Sequence, residues 1–135
     1  MIKLAALLFI AALGTAAAGS AALAAPKLPA LDDQVHCALV FGEVTRQQNN
    51  GTAGVGRFPA MAKSGREFFV RTGARTLDAK AVTLETIEAY FLTRLGVLQD
   101  GLAKSPDPAA ALDREYAACL PQFAAVAPEF APGQR

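Results

Sequence analysis

The clearest periodic signal in this chain runs from Thr83 to Lys104, where Leu84, Ile87, Phe91, Leu95, Leu98 and Leu102 recur at spacings of 3, 4, 4, 3 and 4. That rhythm predicts one helix with a single apolar stripe along its length. Thr83 is suited to cap its start, Glu85 complements the positive end, Lys104 complements the negative end, and Ser105-Pro106 stops it. Asp107-Pro108 then restarts the chain as an N-cap followed by proline at the first helical position. Leu112, Tyr116, Cys119 and Phe123 continue at spacings of 4, 3 and 4, with Pro121 ending or kinking the helix.

Upstream, Asp32-Asp33 predicts a helix start, and the stretch Val35 to Val44 is apolar on most of its circumference. Cys37, Val40, Phe41 and Val44 share one side and Val35, Ala38, Leu39 and Gly42 the other, leaving His36, Glu43 and Gln47 in a narrow polar strip. A helix of this kind needs neighbours on more than one side. Its valines would also suit a strand, but no strict two-residue alternation supports one. A further helix is expected from Ala60 to Leu77, with Met61, Gly65, Phe68 and Thr72 on one side. Gly65 and Gly73 weaken that helix by about 1 kcal/mol each, so they mark either a close approach or a break. Between these two segments, the polar, glycine-rich stretch Gln47 to Gly56 is expected to be a mobile loop. It lacks the Gly-Lys-Ser/Thr ending and the preceding strand of a phosphate-binding loop.

Four helical segments imply an all-α fold, either a small four-helix bundle or an orthogonal helical domain. Cys37 lies in the first segment and Cys119 in the last, both on apolar faces, so a disulfide joining the first and last helices is expected. On the chain-entropy view, closing the loop of about 80 residues between Cys37 and Cys119 stabilises by about 4 kcal/mol.

The ends of the chain suggest a destination. Lys3 is followed by an unbroken apolar run from Leu4 to Leu13 and then by small residues, the order of a secretory signal. Residues 1–24 are therefore expected to be removed, with cleavage after Ala24, or earlier near Ala18. Residues 25–31 form an extended lead-in, 32–123 a single helical domain, and 124–135, with Pro128 and Pro132, a flexible tail. The expected location is periplasmic or secreted, where a disulfide persists. No membrane-spanning run follows the signal.

Charge adds little. Lys3 is the one charge in the signal, so its removal leaves 12 basic and 12 acidic residues, a balance that gives no sign of an electrostatic nucleic-acid or membrane binder. A basic segment, Arg57 to Lys80, precedes an acidic one, Glu85 to Glu129, and the two are expected to neutralise each other across helix packing.

Candidate chemistry is sparse. His36 is the single histidine, and Asp32 and Asp33 share its helix face, yet further ligands for a metal are not evident, so neither a metal nor another cofactor is expected. Glu88 falls at the edge of the long stripe, which predicts a partly buried carboxylate paired with Arg71 or Arg75. His36 and Glu43 form a weaker polar candidate. No nucleophile pattern surrounds Ser64 or Ser105, and a distant cysteine pair reads as structural. No catalytic residues are assigned. The leading expectation is a non-enzymatic exported module that binds or protects another exported protein through an apolar helix face. The alternative is a carrier of a small apolar ligand between helices; a hydrolase or metal enzyme centred on His36 or Glu88 ranks third.

Overall fold

The computed structural model describes residues 27–133. The expected signal segment lies outside the described residues, as do the last two residues of the tail. Among the described residues there are four helices of three or more turns and no strand: α1 (Leu31–Asn49), α2 (Ala62–Lys80), α3 (Leu84–Lys104) and α4 (Pro108–Cys119). A one-turn helix, α5 (Phe123–Val126), follows a 3-10 turn at Leu120–Gln122. The starts of α3 and α4 follow local chemistry. Thr83 Oγ1 accepts from the Thr86 amide and Asp107 Oδ1 from the Ala110 amide, while Pro108 opens α4 and Pro121 sits where α4 gives way to the 3-10 turn.

Helix α1 is the central element, packed against α2, α3 and α4. Val35, Ala38, Val40, Phe41 and Val44 are fully buried, as an all-round apolar helix requires. The Phe41 ring lies 5.0 Å from Phe68 of α2, 5.8 Å from Tyr116 of α4 and 4.7 Å from Phe123 of α5, so one aromatic cluster joins four elements. Neither glycine breaks α2. A Cβ on Gly65 would meet Thr45 Oγ1 at 3.2 Å and Phe41 Cβ at 3.4 Å, so Gly65 marks the closest approach of α1 and α2, whereas Gly73 faces open space. Cys37 of α1 and Cys119 of α4 form the disulfide, with Cα atoms 5.3 Å apart and both side chains buried. The bridge points to an oxidising, extracellular compartment. No helix of the described residues is long and apolar enough to cross a membrane.

Two expectations need correction. The loop after α1 is held in place: the helix itself continues to Asn49, and Gln48 Nε2 donates to Pro59 O at 2.8 Å while its Oε1 accepts from the Met61 amide. Val55, Phe58 and Met61 from this stretch reach the core, and Arg57 Nε donates to Asp113 of α4 at 2.6 Å. The residues after 123 are not a loose tail either. Val126 and Ala127 are buried, Arg71 pairs with Glu129, and the Phe130 ring sits near Arg71 and Lys63. Apolar side chains just past Pro121 return the chain to α2, a contact that local propensity does not reveal.

Candidate functional site

Helices α2 and α3 are joined by a short turn in which Ala81 adopts a left-handed conformation, φ 49°. Both pack on α1 but leave an apolar groove between themselves. Leu39 of α1 contributes to its floor, Phe69, Val70 and Leu77 form the α2 wall, and Leu84, Phe91 and Leu92 form the α3 wall. The groove holds about 620 Å³ and is open to solvent along its length. Phe69 and Phe91 meet edge to face, with centroids 5.0 Å apart. A second recess of about 190 Å³ shares Leu39, Phe69 and Leu95 with the groove and continues it to Glu43, Arg46 and Gln99.

The lining is unusual for its exposure. Val70 is 55 %, Leu84 72 % and Leu92 60 % exposed, and Phe69 is 41 % exposed. Scattered exposed apolar residues are ordinary, but here they are contiguous and line one groove. Covering most of the exposed part of these four side chains would return about 4 kcal/mol. The helical stripe of α3 explains part of the arrangement: Ile87, Phe91 and Leu98 are buried in the seam, Leu95 and Leu102 are half-buried, and Leu84, expected in the same stripe, projects into the groove.

The polar end of the groove is built around Glu43, which the sequence placed in a narrow polar strip and which is buried. Burial would raise its pKa, but hydrogen bonds from Arg46, Gln47 and Gln99 outweigh that effect and hold the carboxyl below its ordinary value. Arg46 Nε donates to Glu43 at 2.9 Å, Gln47 Nε2 at 3.0 Å, and Gln99 Nε2 reaches across from α3 at 3.3 Å. Glu43 is thus a fully bonded clasp between α1 and α3.

The other expected site residues do not converge. Glu88 is exposed on the groove rim, because it lies beside the buried seam and not in it. The anticipated pairing with Arg71 or Arg75 is absent: Arg71 is drawn to Glu129 and to Val126 O, while Arg75 donates to Gln34 Oε1 at 3.1 Å. His36 Nε2 lies 2.7 Å from Glu115 Oε2, tying α1 to α4 beside the disulfide. Asp32 turns away from His36 to accept from Tyr90 at 2.7 Å, a hydrogen bond that lowers its pKa. Among the described residues, no three His, Cys, Asp or Glu side chains are grouped to hold a metal ion.

Val70 and Leu92 are functional candidates that the sequence pattern does not single out, whereas Phe69 belongs to a pair that it does. The adjacent pairs Phe68-Phe69 and Tyr90-Phe91 carried the signal, since a helix cannot bury both members of such a pair against one neighbour. Comparison of the chain with family models, with curated proteins and with solved structures finds no match.

Proposed function

We propose that this chain is an exported, non-enzymatic helical module that binds an apolar helical segment of another exported protein in the α2–α3 groove and shields it. The observation that carries this reading is the row of exposed apolar side chains, Phe69, Val70, Leu84 and Leu92, on the two walls of one open groove. A partner helix brings its own cover, so an open groove suits it, the mode in which an amphipathic helix lays its apolar face between two others. A small-ligand carrier is the second reading, favoured by the groove's volume, which falls in the range of ligand sites. It ranks lower because such sites enclose most of their ligand. An enzymatic reading finds less support. His36 is engaged by Glu115, and Glu88 lies on an exposed rim without an ion-pair partner among the described residues.

The apolar run at the N-terminus and the buried disulfide support export, to the periplasm or the medium. Cell fractionation is expected to recover a chain shortened by about 24 residues from that compartment; an intact chain confined to the cytoplasm would refute export. For binding, the exported protein is expected to suppress light scattering by an aggregating secreted protein at near-stoichiometric ratio. The double variant Val70→Asp, Leu92→Asp is expected to lose that effect while keeping wild-type circular dichroism and Tm. Suppression that survives the double variant, or no suppression by the wild type, would overturn the reading.

A further inference from the structure

We infer that the partner helix carries Lys or Arg at the end of its apolar stripe that lies against Glu88 and Glu85, so that the groove selects basic-ended amphipathic helices. This deepens the reading above and rests on it.

The two ends of the groove differ in charge. At the end near the α2–α3 turn, Glu88 lines the rim, and Glu85, one helical turn earlier, shares its flank. Both are exposed, and neither takes part in an ion pair among the described residues. The facing wall offers no compensation, being Gly73, Ala74 and Leu77. Lys80 and Arg94, the nearest cations along the chain on either side, both lie over the Tyr90 ring, at 5.1 Å and 6.0 Å from its centroid. At the far end the Arg46 guanidinium is held by buried Glu43, while Arg66, one turn before Phe69 and Val70 on the α2 wall, is exposed and takes part in no ion pair among the described residues. The groove is therefore acidic at one end only, and its complement there is a helix with a cationic end.

Length sets the rest of the partner. Leu84 to Leu95 spans about 17 Å of helix axis, and the recess extends this to Gln99, about 22 Å. A segment of about 11 to 15 residues covers that span, presenting apolar side chains at i, i+4, i+7 and i+11.

The test uses the exported protein and four synthetic amphipathic peptides with one leucine stripe, carrying a Lys pair or a Glu pair at either terminus. Fluorescence anisotropy at low salt is expected to show the better Lys-ended peptide binding about tenfold more tightly than its Glu-ended counterpart. The preference should shrink in high salt, and Glu85→Lys, Glu88→Lys should invert it. Equal affinities within about twofold, or a preference that the charge reversal leaves unmoved, would overturn the inference while leaving groove binding intact. Failure of every peptide to bind would sink the proposed function itself. Two further results would also overturn the inference: a dimer in sedimentation that Val70→Asp, Leu92→Asp abolishes would assign the groove to a second copy, and a lipid retained in native mass spectrometry would assign it to an acyl chain.

Discussion

The two flanks of α1 have opposite fates. On one, Cys37 and Phe41 meet α4 and α5 through the disulfide and the Tyr116 and Phe123 rings, and the side chains there are almost wholly removed from solvent. On the other, Ala38, Leu39 and Gly42 lie beneath the gap between α2 and α3, and the walls above them keep apolar side chains in water. Both flanks begin from the same kind of sequence, an apolar helix face. The difference is that one has a covalently tethered helix to cover it. A small domain that secures its core on one side can leave apolar surface uncovered on the other without losing its fold.

The strongest way to break this contrast is to remove the tether. Changing Cys37 and Cys119 together to Ser is expected to cost about 4 kcal/mol, seen as a lower midpoint in urea unfolding. A midpoint unchanged from wild type would mean that the bridge does not secure the closed flank. Truncation compares the flanks directly: Phe41→Ala should cost about 4 kcal/mol, and Leu92→Ala less than about 0.5 kcal/mol, because only the first leaves a cavity. Similar losses for both would place Leu92 in a core.

Glycine substitution sharpens the same comparison at about 1 kcal/mol. Gly73→Ala, on the open side, should stabilise by that amount through helix propensity, whereas Gly65→Ala should destabilise by crowding Phe41 and Thr45. Thermal melts of the two variants check the opposite signs. At the turn between the groove walls, Ala81→Gly should relieve the left-handed backbone and raise stability by about 0.5 kcal/mol.

Acid dependence gives the smallest effect. Asp32, Glu43 and Glu129 all have pKa values lowered in the folded protein, by hydrogen bonds from Tyr90, from Arg46 with its two glutamines, and from Arg71. Between their lowered and ordinary values the unfolded chain binds more protons, so stability rises with pH there. The contribution is complete above the ordinary carboxylate range and is lost as pH falls through the lowered values. Glu43→Gln should flatten that acid limb in urea midpoints measured from about pH 5 downward; an unchanged limb would show that the clasp between α1 and α3 does not act as described.

Much of this architecture was legible in the residues. The 3-4 spacing of Leu84 to Leu102, the caps at Thr83 and Asp107, and the breaks at Pro106 and Pro121 are local features, and helix geometry converts them directly into elements. The cysteines on two apolar faces likewise announced which helices lie together. Glu88 and Glu43 show where local reasoning stopped. One stood at the edge of a stripe and proved exposed, while the other stood in a polar strip and proved buried. A helical wheel gives the direction of a side chain, but burial depends on how many neighbours surround the helix.

The existence of the four helices, the limits of α3 and α4 and the disulfide partners were thus determined by sequence, because each depends on groups within a few turns or on covalent chemistry. Which apolar side chains were covered was decided only in three dimensions. Phe68 and Phe69 are adjacent and chemically identical, yet α1 occupies the space beside one, while the space beside the other is left open between α2 and α3.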